Sequence, residues 1–305
     1  MPFFVGPGEG AGDMITTLHF LLTYECNYEC DHCFLCSSPR AGGTFTLEQI
    51  EAALREAAWL DTVTTVYFEG GEPFLYYSLL LAAVRKAREM GFHVGVVTNG
   101  YFAVSEAEAL LWLEPLAEAG LDEFSASDSR FHNPAQRDPS PARIAFRAAQ
   151  KLSLTASLLL CTASPNGAEG ERGEPLLYRG RAAEKLAGQA VSLPAGLFNS
   201  CPCADFARPQ RLYLDAFGNV HICQGLIIGN MWERSLAQLV WDYRAEEHPI
   251  CGPLAEGGPL QLAETYELTH ASAYADACHF CYSMRLELRK LYPRLLAPRH
   301  LYGRE

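Results

Sequence analysis

ITTLHFLLTYECNYECDHCFLC, residues 15–36, joins an extended apolar run to a segment crowded with cysteine. The run Ile15 to Thr23 reads as a strand. Between Tyr24 and Gly43 about 20 residues follow with little periodicity, whereas an ordinary strand-to-helix connection takes roughly 2 to 6. A loop that long inside a compact domain is usually functional, and this one holds Cys26, Cys30, Cys33 and Cys36.

Further extended apolar runs follow at Thr64 to Phe68, Phe92 to Thr98, Leu121 to Ser127, Leu152 to Cys161 and Leu176 to Arg179. From Thr64 onward they start 24 to 31 residues apart, about one βα unit each. Helix starts lie between them. Thr46 with Gln49 and Ser105 with Glu108 have capping-box spacing, and Ser140 before Pro141 gives an N-cap with proline at the first helical position. Leu47, Ile50, Leu54, Ala57 and Ala58 share one face of the first helix, with Glu48, Glu51 and Arg55 mostly opposite. Six such units predict an α/β fold, a partial TIM-like (β/α)6 barrel.

After about residue 180 the texture changes. A helix is expected over Arg181 to Ala190, then the bridge VSLPAGLFNS, a hairpin of Arg211 to Asp215 with Asn219 to Cys223, and a short helix over Ser235 to Tyr243. This divides the chain into a barrel at 1–198, a small α+β domain at 199–290 and a C-terminal tail at 291–305.

The 305 residues are 49% hydrophobic and carry a formal charge of -12 with no Lys/Arg run. That charge excludes the electrostatic footprint of a nucleic-acid binder. MPFFVGPGEG has no signal-like leader, so a cytoplasmic protein is expected. The most apolar stretch, Leu152 to Ala163, is broken by Ser and Thr and falls far short of the roughly 20 residues of a membrane span. In that compartment 11 cysteines point to metal or redox chemistry, since disulfides are disfavoured and the number is odd.

Cys26, Cys30 and Cys33 form C-x3-C-x2-C. Three thiolates on a 4Fe-4S cube leave one iron without a protein ligand, and an open metal position is where substrate or cofactor binds. On spacing alone a zinc site with His19 or Cys36 as fourth ligand, a redox pair or unconnected thiols remain alternatives.

The stretch resembles the radical AdoMet (radical SAM) superfamily, whose motif is C-x3-C-x-aromatic-C directly after the first barrel strand; His32 fills the aromatic slot. Gly70-Gly71-Glu72-Pro73, after Glu69, matches the family's GGEP motif. Read alone, that string is an ordinary turn. At the end of the second strand it shares the C-terminal rim of the barrel with the cysteines, where barrel enzymes build their sites. In the family this backbone hydrogen-bonds the amino group of the methionine moiety of S-adenosylmethionine, whose amino and carboxylate groups chelate the open iron.

The resemblance also makes Asn99, in Thr98-Asn99-Gly100, and Ser125 or Ser127 cofactor-binding candidates, although SASDS departs from the commoner Ser-aliphatic-Asp-Gly. A strand-end turn or serine is otherwise structural. Arg179-Gly180-Arg181 is similar to a Gly-Arg segment of the family, but a solvated arginine is the reading expected here.

Cys203, Gly218 and Cys223 give C-x14-G-x4-C, with Cys278-x2-Cys281 later. This resembles the opening of the SPASM or twitch extension, and Gly229-Asn230 followed by Ser235-Leu236 continues the match. No cysteine follows Cys281, so the resemblance implies the twitch form, with one auxiliary 4Fe-4S cluster on Cys203, Cys223, Cys278 and Cys281. A zinc ribbon has similar spacing, and Cys201 and Cys251 keep other ligand sets open. Cys36, Cys161 and Cys251 are candidates to assist a substrate radical, or simply buried packing residues.

What the resemblance implies is an oxidoreductase-like enzyme. A ferredoxin- or flavodoxin-type donor reduces the first cluster, S-adenosylmethionine is cleaved to a 5'-deoxyadenosyl radical, and hydrogen leaves an unactivated C–H bond. The auxiliary cluster then relays electrons in an oxidation or bond formation. About 14 residues precede the first strand. The expected substrate is therefore a small molecule, or a peptide brought by a separate recognition protein as in the maturation of ribosomally made peptides. A non-catalytic Fe-S or zinc protein is the alternative of another class.

Overall fold

The computed structural model describes residues 15–133, 135, 137–162 and 174–303. Strands β1 (Thr17–Thr23), β2 (Thr65–Gly70), β3 (His93–Thr98), β4 (Glu123–Ser127) and β5 (Thr155–Leu159) alternate with helices α1 (Leu47–Ala57), α2 (Tyr77–Glu89), α3 (Glu106–Glu118) and α4 (Pro141–Lys151). The strands are parallel and in sequence order. This is the α/β partial barrel expected.

Strand alternation separates two faces. Leu18, Phe20, Val66, Phe68, Val94, Val96, Phe124 and Ala126 are fully buried in one core with Ile50, Leu54, Leu80, Val84, Leu113 and Ala145 of the helices. The opposite, inner face is polar: one row runs His19, Tyr67, Gly95, Glu123, Thr155, and the next Leu21, Glu69, Val97, Ser125, Ser157. The helix starts explain themselves. Thr46 and Gln49 close a full capping box, and Ser140 caps α4 ahead of Pro141. Ser105 accepts from the Glu108 N–H, but the Glu108 side chain meets the Ser105 hydroxyl rather than its backbone, so that box is half formed.

The sixth strand is shifted from its expected place. β6 (Cys161–Thr162), one residue beyond β5, pairs in parallel with β7 (Glu174–Pro175), whereas Leu176 to Arg179 run outside any ladder. Leu176 and Tyr178 are buried instead in a satellite cluster with Ala182 and Leu186 of the following helix. The Tyr178 N–H is taken by the Asp276 carboxylate at 3.1 Å rather than by a strand. That helix, α5 (Arg181–Lys185), stops short of Ala190.

Short strand β8 (Leu193–Pro194) precedes the hairpin. The hairpin forms as expected from β9 (Arg211–Asp215) and β10 (Asn219–Cys223), joined by β11 (Leu226–Asn230). Helices α6 (Leu236–Asp242) and α7 (Cys251–Thr265), strand β12 (Ala273–Tyr274), which pairs with β8, and α8 (Ala277–Leu288) complete the order. β9 lies parallel to β1, so one eight-stranded sheet runs β11-β10-β9-β1-β2-β3-β4-β5. Asp215 fixes this junction. Fully buried, it accepts from the N–H groups of Phe217 and Asn219, from the Asn219 amide, from His221 and, at 2.9 Å, from the Tyr24 hydroxyl at the start of the cysteine loop.

The chain's last segment is tightly packed. Leu296, Leu301 and Tyr302 are buried, Tyr302 donates to the Gly225 carbonyl at 2.7 Å, and His300 stands edge-on to Tyr24. Among the described residues no helix is long and apolar enough to cross a membrane.

Phe20 packs between Phe45 and Phe68, with centroids 5.9 and 5.2 Å away. Phe20→Ala is expected to lower stability by about 3–5 kcal/mol, seen as a lower urea midpoint at unchanged m-value; a smaller loss would mean the core refills the cavity.

Candidate functional site

The rim is built on two glycines. Gly71 donates to the Thr23 carbonyl at 2.7 Å and Glu72 to the Glu25 carbonyl at 2.9 Å, so the end of β2 runs against the chain leaving β1. A Cβ at Gly71 would lie 2.0 Å from the Glu25 oxygen, and one at Gly70, whose φ is +128°, 2.4 Å from the Thr23 oxygen. No side chain fits at either place.

Glu72 is completely buried. Its carboxylate accepts from the Phe74 N–H (3.0 Å), the Thr98 hydroxyl (2.7 Å) and the Asn99 N–H (2.7 Å), tying the ends of β2 and β3 together. Pro73 opens the short turn that follows. The Asn99 amide donates to Asn27 Oδ1 at 2.8 Å and lies 3.8 Å from Cys26 Sγ. The GGEP segment, Asn99 and the first cysteine are thus in one place.

The cysteine loop is shaped by its own backbone. Cys26 Sγ accepts from the Tyr28 N–H and Cys33 Sγ from the Ser37 N–H, each at 3.4 Å, while the Cys33 N–H donates to the Cys30 carbonyl. Cys30 Sγ reaches the Phe131 carbonyl at 3.4 Å. Arg181 is buried rather than solvated. It donates to the carbonyls of Cys30 (2.6 Å) and Ser37 (2.8 Å) through its guanidinium and to that of Cys33 through its N–H. A Cβ at Gly180 would fall 2.6 Å from the Phe34 oxygen, so the segment needs glycine there to lie on the loop.

Burial, with the neighbouring thiols adding to it, pushes Cys26 and Cys30 up to about 12. Such thiols stay protonated near neutrality unless a bound cation takes the charge, which suits a metal-cluster donor set. His32 stacks on Phe131 and meets His132 edge-on, and burial lowers it to about 3, so it is a neutral aromatic filler. Cys36 Sγ faces the Leu301 carbonyl at 3.9 Å, and His19 Nδ1 pairs with Glu69 at 3.1 Å inside the barrel. Among the described residues no three Cys, His, Asp or Glu side chains converge as a single metal ion requires.

Ser125 and Ser127 point to the barrel interior, Ser125 Oγ lying 2.8 Å from Ser157 Oγ. Below them lies a polar group of which the sequence reading singled out only His19, and that as a metal-ligand candidate. His19 stacks on Tyr67 and meets Tyr213 at a tilt, and Glu123 binds both the Tyr67 hydroxyl and His93. The signal was present in the alternation of polar residues along TLHFL and TVYFEG.

The second cysteine group also assembles. Cys203, Cys223, Cys278 and Cys281 line one cavity, joined by Cys201, Arg179 and Arg285. Cys203 Sγ and Cys278 Sγ are 3.7 Å apart, and the hydrogen bond between them holds Cys203 below the ordinary thiol range and pushes Cys278 up. Asp276 caps α8 and so presents Cys278 and Cys281 on its first turns. Burial pushes Cys281 up to about 12. Cys201 joins the lining despite its spacing, whereas Cys251 lies buried outside it. A cleft of about 1350 Å³ leads from these thiols past Arg208, Arg211 and Tyr213.

Residues 20–133 match the family model described as "Radical SAM superfamily". The chain is 25% identical over 124 residues to "Putative peptide biosynthesis protein YydG" of Bacillus subtilis (strain 168), covering 41% of this chain and 39% of that protein. It is 34% identical over 107 residues to "Antilisterial bacteriocin subtilosin biosynthesis protein AlbA" of the same strain, covering 33% and 23%. A "Probable GTP 3',8-cyclase" of Methanocella arvoryzae is 31% identical over 118 residues, covering 38% and 35%. The chain therefore spans well under half the length of these relatives. Over residues 20–133, well under half of the chain, the sequence is thus similar to a radical SAM domain.

Burial raises Glu72 from 4.5 to about 7 against the pull of its three donors. Between those values the folded chain keeps a proton that the unfolded chain has released, so this group's contribution to stability falls as pH rises through that window. Glu72→Gln is expected to flatten that part of the profile, measured as urea midpoints from about pH 4 to 8. An unchanged slope would show that another group is responsible.

Proposed function

We propose, from the premise of its similarity to a radical SAM domain, that this chain cleaves S-adenosylmethionine reductively at a 4Fe-4S cluster held by Cys26, Cys30 and Cys33 and removes hydrogen from a substrate C–H bond. The convergence of the cysteine loop, Gly70-Gly71-Glu72-Pro73 and Asn99 on one rim carries this reading. When bound, the cluster supplies the electron that divides S-adenosylmethionine into methionine and a 5'-deoxyadenosyl radical.

The protein's part is orientation and exclusion of water. Gly70 and Gly71 keep the β2 backbone close to the loop, Glu72 and Asn99 lock the rim, and Arg181 holds the loop from the other side. Ser125 and Ser127 face the interior as hydroxyl partners for a ribose. His19, Glu69, Tyr67 and Glu123 form the polar wall that a substrate meets below.

A second 4Fe-4S cluster on Cys203, Cys223, Cys278 and Cys281 would fill the auxiliary cavity and relay electrons from the substrate, giving an oxidation or a bond formation. Shared lining by these thiols supports it. We take the substrate to be a peptide segment, delivered by a separate recognition protein. Two relatives are named for peptide and bacteriocin biosynthesis, and the cleft of about 1350 Å³ beside the auxiliary thiols has room for a peptide segment. A small molecule is the second reading, favoured by the relative named as a GTP cyclase. A ferredoxin or flavodoxin in a reducing compartment, the cytoplasm, fits as the electron source for so many free thiols.

Anaerobic reconstitution is expected to give about eight irons per chain and dithionite-dependent 5'-deoxyadenosine. Cys30→Ala should abolish that product and lower iron to about four, whereas Cys278→Ala should lower iron but keep S-adenosylmethionine binding. Stoichiometric zinc without cleavage would sink the proposal.

A further inference from the structure

Two guanidinium groups sit in the auxiliary cavity, and neither has a carboxylate within ion-pair range among the described residues. Arg179 Nη1 is 3.7 Å from Cys223 Sγ, and its Cζ lies 4.9 Å from the ring centroid of Phe34, the residue after Cys33. Arg285 is only 2% exposed; it donates to the Gln224 carbonyl at 2.7 Å and lies over the Tyr302 ring. The Nε of each has no hydrogen-bond partner among the described residues. Asp276, on the wall of the adjoining cleft, has its oxygens on the N–H groups of His279 (2.6 Å) and Tyr178 (3.1 Å).

A buried cation without a counter-charge is costly; Arg285 is buried outright and Arg179 is half-buried at the edge of the cleft. This chain has 36 Asp and Glu against 24 Lys and Arg, so carboxylates were plentiful, yet the groups placed around these arginines are thiols. Asp276 acts on Arg179 only from beyond ion-pair distance, so the nearest balancing negative charge comes from the thiolates and whatever they bind. Two fixed positive charges beside four thiolates suit an anionic cluster. They also favour the more negative, reduced state of that cluster over the oxidised one, because charge in a site of low dielectric is felt strongly.

We infer that Arg179 and Arg285 are the counter-charges of the auxiliary cluster and hold its reduction potential up, so that it serves as an electron acceptor. This rests on the reading that Cys203, Cys223, Cys278 and Cys281 hold an iron–sulfur cluster. Arg179 also belongs to both sites. Through Gly180 it continues into Arg181 on the first cysteine loop, so the three residues form a strut with one guanidinium at each cysteine group.

The test uses the full chain with Cys26, Cys30 and Cys33 changed to Ala, leaving only the auxiliary site to load. Anaerobic reconstitution of this parent should give about four irons per chain; a parent that holds no iron, or holds zinc, defeats the cluster reading itself. Potentiometric titration followed by electron paramagnetic resonance then gives the midpoint. Arg179→Gln is expected to lower the equilibrium constant for reduction at least tenfold, ~59 mV for one electron, and Arg285→Gln to act in the same direction. Arg179→Lys, which keeps the charge, should stay close to the parent.

An iron-loaded Gln variant at the parent's midpoint overturns the inference, and so does a Lys variant that falls as far as Gln. Should neither Gln variant hold iron, loading of Arg179→Lys and Arg285→Lys supports the requirement for charge, and their failure to load overturns it.

Discussion

The Glu25 carbonyl oxygen stands where a side chain at position 71 would have to begin, 2.0 Å from the ideal Cβ. With glycine there, the backbone at the end of β2 hydrogen-bonds directly to the chain between Thr23 and Glu25. Cys26 follows at once. The position of the first cysteine is therefore set by a backbone–backbone contact between two strand ends, which has little freedom to drift. The remainder of the rim is arranged around that contact: Glu72 leads on to Asn99, and Asn99 returns to Cys26.

Two buried carboxylates secure the loop from opposite sides, and their environments treat charge differently. At Glu72 burial outweighs three donors and keeps the group close to neutral. At Asp215 burial also opposes ionisation, but His221 and Asn219 prevail and hold the carboxyl below its ordinary range. Asp215 grips Tyr24 from the hairpin and Glu72 grips the third strand. The auxiliary hairpin is consequently part of the barrel sheet, with β9 alongside β1. The second cysteine group is thus joined to the first through the pairing of β9 with β1 and through the Arg179-Gly180-Arg181 strut.

Much of this was legible from local pattern. The cysteine spacing, the overlong loop and the apolar runs gave β1 to β5 and the rim, because each signal is carried by neighbours in sequence. Non-local partners were not legible. Nothing in RLYLD names TLHFL as its neighbour nearly two hundred residues earlier. Leu176 and Tyr178 have the alternation of a strand but spend it on a satellite cluster. Arg181 read as a solvated arginine, and is not one, because its acceptors are backbone carbonyls, which leave no mark in sequence. Cys201 fails the spacing rule and still reaches the auxiliary cavity, since a bend in the chain places it there.

The central claim is that three cysteines leave one iron of the first cluster for S-adenosylmethionine. Electron–nuclear double resonance on the reduced, anaerobically reconstituted protein tests it most directly, using S-adenosylmethionine isotopically labelled at its amino and carboxylate groups. Hyperfine coupling to both labels is the predicted result. A spectrum that stays the same with and without the labelled compound, as from a cluster whose fourth iron is already capped by a side chain, would contradict the account.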